Sequence, residues 1–372
     1  MRDRINAGII GTGTRGTIWK EIVERHPAFS LVAVSDAHRP DIPRQETFSY
    51  YEDYRDLLRT DIEAVFVAPQ NKYRARVVTE ALARGIHVLC EVPPGRSVQD
   101  MQDVIAAEKK AGGTVLGFAF TYRFCDAVLR AKEMVHSGTC GKILWMKGVY
   151  GKSGGSGFES IWRSNREWAG GGVLLDQGIH MIDLFRFFAG EFKEVKSFVV
   201  TSFWNIPLED NGFALLRTAH NQVAMIHASS AHWMNHFALE ICLENSHITI
   251  RGDLSPQGDY GPREHLILCP RSSADGKNTP GIPEETVATF DTAPRYEREV
   301  DAFADSIHNN SMVHLGSSAD ALQAMKLVYR IYQGDAARGG ARTRPNRGIS
   351  PDSSPLRAGQ TSWGIPRENR FD

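Results

Sequence analysis

INAGIIGTGTRG, residues 5–16, is the most informative stretch of this sequence. The apolar run Ile5–Ile10 indicates a short buried strand, and the residues after it show the apolar spacing of a helix. Between them, Gly11, Gly13 and Gly16 fit the pattern G-x-G-x-x-G in the strand–turn–helix context of a dinucleotide-binding loop. We therefore predict that backbone N–H groups at this helix start hold a pyrophosphate, the alternative being a tight turn without a ligand.

An acidic residue follows the loop at the distance that a dinucleotide-binding unit requires. Asp36 comes 20 residues after Gly16, at the end of a predicted second strand. A carboxylate there accepts hydrogen bonds from a ribose hydroxyl and repels a 2′-phosphate, so we expect NAD rather than NADP. Arg39 weakens this preference, because a nearby arginine can bind that phosphate. The loop residues expected to contact the cofactor are Gly11, Thr12, Gly13, Thr14 and Arg15.

The residues around the loop, 1–120, alternate short apolar strands with amphipathic helices. That rhythm predicts a doubly wound parallel sheet of the Rossmann type, with right-handed crossovers. The predicted strands are Ile5–Ile10, Leu31–Ser35, Ala64–Ala68, Ile86–Cys90 and Thr114–Ala119.

Residues 121–333 have a different rhythm, in which most strands follow one another with short polar turns between them. This is typical of a mainly antiparallel sheet, so we predict a second, α+β domain over this range. Two amphipathic helices end this domain.

Residues 334–372 contain seven Arg, six Gly and four Pro and few aliphatic side chains. We interpret them as a flexible basic tail, because they cannot bury enough apolar surface to order themselves.

The composition is ordinary for a globular protein and excludes several functional classes. The chain has 372 residues, 42% apolar and 23% charged, with a net charge of −1. Near neutrality gives no reason to expect a nucleic-acid or membrane partner. The five cysteines are scattered and lack C-x-x-C spacing, which argues against disulfides and a zinc site. We expect a cytoplasmic protein with reduced thiols and no metal.

A second constellation, GGGVLLDQGIHMID at residues 170–183, carries the candidate reaction chemistry. On a helix, Asp176, His180 and Asp183 project from one face. A histidine beside carboxylates suits proton transfer, because a carboxylate fixes its tautomer and raises its pKa. The alternative is that His180 is a buried core histidine whose hydrogen-bonding needs are met by Asp176.

These motifs together resemble the glucose–fructose oxidoreductase, inositol dehydrogenase and rhizopine-catabolism (Gfo/Idh/MocA) family. The resemblance covers residues 5–333 and rests on the glycine loop, the stretch Cys90-Glu91-Val92-Pro93, and the three glycines that lead to Asp176 and His180. It implies a Rossmann domain, a second domain with an open antiparallel sheet, and NAD(P)-dependent chemistry on a hydroxyl or carbonyl of sugars, inositols and related polyols. It also implies dimer or tetramer contacts through that sheet.

The resemblance implies roles for further residues. The additional residues expected near the cofactor are Pro69, Asn71, Glu91, Val92 and Pro93. The residues expected at the substrate are Tyr122, Arg123, Trp162, Arg163, Asp176 and His180. Among these, we expect His180 to be the catalytic base and Asp176 to orient it, with Tyr122 and Lys152 as alternative bases.

One departure from the family pattern bears on mechanism. The family usually has Glu-Lys-Pro where this chain has Glu91-Val92-Pro93, and Val92 can neither donate nor accept a proton. Three hypotheses therefore stay open. The first is a sugar or polyol oxidoreductase, the second a lyase or glycosidase that retains NAD and oxidises its substrate transiently, and the third a protein that binds NAD without catalysis.

Overall fold

The computed structural model describes residues 4–37, 47–253, 261–271, 284–292, 294–311, 313 and 316–336. The helices are α1 (Thr14–Arg25), α2 (Tyr54–Leu57), α3 (Asn71–Leu82), α4 (Val98–Ala111), α5 (Asp126–His136), α6 (Arg166–Ala169), α7 (Ile179–Ala189), α8 (Pro294–His308) and α9 (Ser318–Ala336). The strands are β1 (Ile5–Ile10), β2 (Phe29–Ser35), β3 (Ser49–Tyr51), β4 (Ala64–Val67), β5 (His87–Cys90), β6 (Leu116–Phe118), β7 (Ile143–Ser153), β8 (Phe192–Val200), β9 (Asn211–Thr218), β10 (Val223–Ser229), β11 (Ala231–Leu243), β12 (Ser246–Gly252), β13 (Arg263–Pro270) and β14 (Thr286–Asp291).

The first sheet has six parallel strands in the order β3-β2-β1-β4-β5-β6. This confirms the predicted Rossmann sheet. The strand order reverses between β1 and β4, and ligands of such sheets bind in the crevice beyond the carboxyl ends of the strands at that point. The glycine loop follows β1 and therefore lies at the crevice.

The second sheet has eight strands in the order β14-β13-β12-β11-β7-β10-β9-β8. All neighbours are antiparallel except β7 and β10, which run parallel. Helices α5, α7 and α9 pack on this sheet. The alternating burial along β9 reflects that arrangement, since every second side chain faces the helices and the others are exposed. The predicted α/β fold class with a mostly antiparallel second sheet is confirmed.

The structure differs from the predicted elements where the sequence signal is short. Elements β3, α2 and β14 were not predicted, because β3 and α2 are short without an apolar run and β14 is a largely exposed edge strand. The apolar residues of Val195–Trp204 predict one strand over this range, but the strand ends at Val200. Its last residues leave the sheet because Asp210 accepts hydrogen bonds from the backbone N–H groups of Ser202, Phe203 and Trp204.

Helix α8 packs away from the second sheet. Its buried side chains Val300 and Phe303 belong to the apolar core formed by β1, β2 and α1, and the Phe303 ring centroid lies 5.6 Å from that of Phe66 on β4. The predicted range 121–333 therefore contributes one helix to the core of the first sheet. The boundary at residue 120 stays a prediction.

The end of the described chain also refines the predicted tail. Helix α9 runs to Ala336, so the first three residues of the predicted tail are helical. A Cβ on Gly334 would lie 2.7 Å from the Ser197 hydroxyl oxygen, which places this residue against β8. Residues 337–372 and Arg39 lie outside the described residues.

The five cysteines are free thiols. Cys90 is fully buried, and burial raises the pKa of its thiol to about 12, which keeps it protonated and unreactive. The described residues contain no group of three or more His, Cys, Asp or Glu side chains placed to hold a metal ion. No helix in the described part of the chain is long and apolar enough to cross a membrane.

Candidate active site

The glycine loop packs as the sequence motif requires. Gly11 has a φ of +92°, and a Cβ on it would lie 2.7 Å from the Ala68 carbonyl. A Cβ on Gly16 would lie 1.7 Å from the carbonyl oxygen of Gly11. A Cβ on Gly13, in contrast, would meet no heavy atom within 4 Å. Two of the glycines are therefore required by the fold, and the third leaves open space beside the N-terminus of α1.

Asp36 lies directly after β2 and faces the loop. Its Oδ2 accepts hydrogen bonds from the backbone N–H of Thr12 at 2.7 Å and from the Thr12 hydroxyl at 2.9 Å. These bonds fix the carboxylate next to the open space at Gly13. The loop and the acid, which lie 20 residues apart in sequence, are thus adjacent in space.

Arg15 and Glu91, two residues predicted to contact the cofactor, contact each other. Arg15 Nε lies 2.5 Å from Glu91 Oε1, and its guanidinium sits 4.4 Å from the ring centroid of Tyr296 on α8. Glu91 Oε2 accepts a hydrogen bond from the backbone N–H of Val92 at 3.2 Å. This pair joins the start of α1 to the segment after β5.

Val92 occupies the position where the family usually has a lysine. Its side chain is only 5% exposed and belongs to the apolar core. A valine fits there because it carries no polar group to satisfy, and a charged side chain at the same position would need a partner. Val92 thus contributes packing at the carboxyl end of β5.

Arg74 on α3 is a buried cation that the sequence reasoning missed. Its Nε donates to the carbonyl of Pro69 at 2.9 Å and its Nη1 to the carbonyl of Pro93 at 2.8 Å. Burial lowers the pKa of the guanidinium while the negative charge of Glu91 raises it, and an arginine stays protonated in proteins. No residue pattern in α3 signals this role, because it depends on two carbonyls from separate loops that meet at the side chain.

Asn71, at the start of α3, links the two parts of the candidate site. Its Nδ2 donates to the backbone carbonyl of Ala169 at 2.9 Å, and its Oδ1 is buried without a hydrogen-bond partner among the described residues. Ala169 lies directly before the three glycines at 170–172. The predicted cofactor side and the predicted substrate side therefore meet through a buried hydrogen bond.

Asp176 lies on one wide helical turn with i→i+5 hydrogen bonds, Leu174–Gly178, that leads into α7. Such π-turns occur frequently at functional sites. The Asp176 carboxylate accepts a bond from Arg163 Nε at 3.3 Å. Burial raises the pKa of Asp176, but surrounding cations lower it by more, so the group is ionised. Those cations are Arg163, Lys152 and Arg74, and the charge that His180 carries when it is protonated acts in the same direction.

His180, at the start of α7, packs against two tyrosines. Its ring lies edge-on to Tyr122 at 5.1 Å between centroids and tilted to Tyr150 at 6.4 Å. The two phenol oxygens are 2.7 Å apart, and Tyr122 also stacks on Phe237 at 5.1 Å. Two tyrosines from separate segments therefore contact the imidazole, and Phe237 on β11 packs against both of them.

Arg123 and Asp183 form a buried ion pair. Asp183 accepts two hydrogen bonds from Arg123, at 2.7 Å from Nε and 2.6 Å from Nη2, and Arg123 Nη1 donates to Asp320 at 3.1 Å. Arg123 and Asp183 are almost completely buried. Their opposite charges compensate each other inside the protein, and the substrate-binding role of Arg123 stays a prediction.

The remaining predicted substrate residues lie at the rim of the site. The Arg163 guanidinium stacks over the Trp162 ring at 4.4 Å while it pairs with Asp176. Trp168 contacts Tyr73 edge-on at 6.0 Å. Both tryptophans are partly exposed.

A cleft opens beside Asp176. Glu209 forms one wall and is buried; its carboxylate accepts hydrogen bonds from the backbone N–H of Gly172 at 2.9 Å and from the hydroxyl of Tyr332 at 2.7 Å. Burial raises the pKa of Glu209 above its ordinary value. The lining residues are Phe158, Arg163, Gly172, Val173, Asp176, Gln177, Ile206, Glu209 and Ser230.

Two models of one protein family match the chain in order. The model described as the GFO/IDH/MocA oxidoreductase family with an NAD-binding Rossmann fold matches residues 5–118. The model of the GFO/IDH/MocA C-terminal domain matches residues 128–251. The first match contains all six strands of the parallel sheet, and the second begins within α5 and ends within β12.

Individual proteins are similar at lower identity. Levoglucosan dehydrogenase of Pseudarthrobacter phenanthrenivorans is 28% identical over 230 residues, which is 58% of this chain and 58% of that protein. A 2,7-anhydro-N-acetylneuraminate hydratase of Mediterraneibacter gnavus is 26% identical over 295 residues, 74% of this chain and 75% of that protein. A solved structure of levoglucosan dehydrogenase in complex with NADH has a TM-score of 0.77 at 22% identity, covering 90% of this chain and 98% of that one. That likeness supports the fold.

Proposed function

The chain belongs to the GFO/IDH/MocA family of NAD-binding oxidoreductases, and on this premise we propose its reaction. It transfers a hydride between NAD(P) and the hydroxyl or carbonyl carbon of a sugar, inositol or sugar derivative. The observation that carries this proposal is the buried hydrogen bond from Asn71 to the carbonyl of Ala169. It brings the crevice at the end of the first sheet next to the segment that carries Asp176 and His180.

The residues at the crevice fit a dinucleotide. The open space at Gly13 leaves room for a pyrophosphate next to the N-terminus of α1, where backbone N–H groups favour an anion. Asp36 is positioned to accept a hydrogen bond from a ribose hydroxyl, which supports NAD over NADP. When bound, NAD(P) supplies the acceptor or donor of the hydride.

His180 is the proposed general base. As the carbinol carbon loses its hydride, the hydroxyl proton moves to the imidazole and a carbonyl forms. Tyr122 and Tyr150 hold the ring, and the ionised Asp176 lies four residues earlier on the same segment. The neutral imidazole accepts the proton, and the negative charge nearby stabilises the imidazolium that forms, which later returns the proton.

Arg74 supplies a positive charge in place of the lysine that the family usually has at the position of Val92. Its side chain bonds to the carbonyls of Pro69 and Pro93, which follow two adjacent strands of the parallel sheet. Its charge also acts on Asp176, so it lies within electrostatic range of the proposed substrate. We propose that it stabilises negative charge that develops on the substrate oxygen, as a preorganised cation in a buried site does.

The test is to incubate the purified protein with NAD or NADP and a panel of sugars, anhydrosugars and inositols. Absorbance of the reduced cofactor should rise with at least one of them, and NAD should turn over faster than NADP. Tight NAD binding with no hydride transfer to any substrate would contradict the proposal.

The same assay distinguishes the two other hypotheses from the first. A lyase or glycosidase forms product and exchanges solvent deuterium into a sugar carbon without net NADH, and a non-catalytic protein forms no product.

We also propose a homo-oligomer, assembled through the outer face of the second sheet. Four exposed apolar side chains lie next to one another on β8, β9 and β10, since Phe198 pairs with Phe213 and Leu215 pairs with Met225. Exposed apolar patches of this kind mark interaction sites. Light scattering should give a mass of at least two chains, and Leu215→Glu should reduce it. A monomeric wild type would contradict this proposal.

The cytoplasmic location of the protein stays a prediction.

A further inference from the structure

Four aromatic side chains form a continuous ridge from the cleft beside Asp176 to the surface. We call Phe158, Trp204, Phe203 and Trp233 the aromatic ridge. Phe158 lines the cleft, and its ring centroid lies 5.0 Å from that of Trp204. Phe203 lies 5.0 Å from Trp204 and 4.7 Å from Trp233. The centroids of Trp204 and Trp233 are 6.4 Å apart, so Trp204, Phe203 and Trp233 pack together at the outer end of the ridge, and Phe158 joins them to the cleft.

The outer end of the ridge is exposed far beyond what packing requires. The side chain of Phe203 is 58% exposed and that of Trp233 is 62% exposed. Large aromatic side chains contribute most when they are buried, so leaving two neighbouring ones in water costs stability. Such a cost at the mouth of a cleft indicates a ligand surface.

A buried carboxylate holds the ridge in place. Asp210 is completely buried, and it accepts hydrogen bonds from the backbone N–H groups of Phe203 at 2.7 Å and Trp204 at 2.9 Å. The Trp204 indole N–H in turn donates to the carbonyl of Ser230, which lines the cleft, at 2.9 Å. The ridge is therefore preorganised, a condition that lowers the entropic cost of binding.

The chain next to Asp210 also connects the ridge to the proposed catalytic segment. Glu209, the residue before Asp210, accepts hydrogen bonds from the backbone of Gly172 and Leu174. A Cβ on Gly172 would lie 2.1 Å from the carbonyl oxygen of Glu209, so only a glycine allows this approach. Two consecutive acids thus fix the ridge on one side and the turn that carries Asp176 on the other.

We propose that the aromatic ridge binds a second ring attached to the oxidised sugar, so that the substrates are glycosides rather than free monosaccharides. This inference rests on the proposed function. A ring bonded to a sugar in the cleft reaches Phe158 first and the exposed rings next. Flat aromatic surfaces complement the apolar faces of sugar and aryl rings, and the few polar groups of the cleft remain for the hydroxyls. The ridge is continuous with the cleft through Phe158, which favours a substrate group over a protein partner.

The test compares glycosides that share one sugar. Methyl β-glucoside, phenyl β-glucoside and cellobiose form one series, and methyl β-galactoside, phenyl β-galactoside and lactose form the other. Calorimetric titration of the NADH-bound protein should give about tenfold tighter binding of the phenyl glycoside or the disaccharide than of the methyl glycoside in at least one series. The phenyl and disaccharide arms distinguish an aryl group from a second sugar.

Two variants assign that preference to the ridge. Trp233→Ala should reduce the ratio of affinities to about one, and Phe203→Ala provides a second, independent truncation. Trp145→Ala is the matched control, because Trp145 is also exposed but lies at the opposite end of β7 from the site. It should keep the preference.

Three outcomes would overturn the inference. The first is equal binding across both series, and the second is an undiminished preference in Trp233→Ala. The third is a loss of oligomer mass in Trp233→Ala with the preference retained, which would make the ridge a contact between copies of the chain. A failure of the proposed function would give a different result from a failure of this inference. In that case no NADH would form with any substrate, while the preference for a second ring would remain.

Discussion

The glycine loop and the Asp176–His180 segment depend on their surroundings in different ways. In the loop, sterics of the backbone require two of the three glycines, because a Cβ on Gly11 or Gly16 would collide with main-chain atoms of the same region. At the second segment, side chains from distant parts of the sequence decide the chemistry, since Arg163 and Arg74 act on the Asp176 carboxyl. A local motif is therefore sufficient to identify the first region, whereas the second becomes interpretable only in the folded chain.

Substitution of two glycines tests the steric side of this comparison and should have the largest effect. Gly16→Ala places a Cβ 1.7 Å from the Gly11 carbonyl oxygen, so the free energy of unfolding should fall by about 4 kcal/mol or more. Gly13→Ala meets no atom within 4 Å and should cost about 1 kcal/mol, as a weaker N-cap of α1. Gly13→Ala should nevertheless weaken NAD binding. Chemical denaturation and calorimetry measure both quantities, and equal destabilisation by the two variants would refute the assignment.

His180→Ala tests the chemical side. Because it removes the proposed general base, kcat should fall by ~10²–10⁴-fold while NAD affinity is retained. The matched control is His136→Ala, at the exposed end of α5, which should leave kcat unchanged. An unaltered kcat in His180→Ala would remove this residue from the mechanism.

Arg74→Met examines the proposed replacement for the family lysine. It removes the positive charge and leaves the carbonyls of Pro69 and Pro93 without their donor, so kcat should fall by about 10²-fold. Arg74→Lys keeps the charge and should restore part of the rate. Arg76→Met, an exposed change on the same helix, is the control. If Arg74→Lys is as slow as Arg74→Met, the contribution of Arg74 is to position the two loops and not to supply charge.

Glu299 on α8 gives a smaller, pH-dependent effect near the glycine loop. Burial raises its pKa to about 8, and it accepts a hydrogen bond from the Thr121 hydroxyl at 3.0 Å. The ordinary pKa in an unfolded chain is about 4.3, so between these values only the folded protein holds the proton. Stability should therefore fall as pH rises from about 5 through about 8. Glu299→Gln should flatten this slope in melting temperatures measured between pH 5 and pH 9, and parallel curves for the two proteins would contradict the assignment.

Most of the fold could be predicted, because buried strands and amphipathic helices leave strong local periodicity. The bounds of β1 match the prediction. A serine followed three residues later by an acid predicts a helix cap at Ser97, and its side chain accepts the backbone N–H of Asp100 at the start of α4. The elements β3, α2 and β14 were not predicted, because they lack a buried apolar run. The family predicted from three motifs is confirmed by the two matching models.

The site was predicted less completely, for a physical reason. A sequence motif names residue types but not their partners, so the ion pairs of Arg123 with Asp183 and Asp320 were not predicted. Arg74 was missed for the converse reason. Its role follows from the carbonyls of Pro69 and Pro93, and no pattern in α3 indicates that they converge on it.

The most direct test of the central claim is a crystal structure of the protein with NAD bound. The claim is that the glycine loop and the segment with Asp176 and His180 form one hydride-transfer site. We expect the pyrophosphate at Gly13, a ribose hydroxyl at Asp36, and the nicotinamide ring with one face toward His180. A nicotinamide ring that lies away from His180 would contradict the claim. In that case Arg74 and Glu91 would keep the positions described above, and no space for the ring would remain between these side chains and α7.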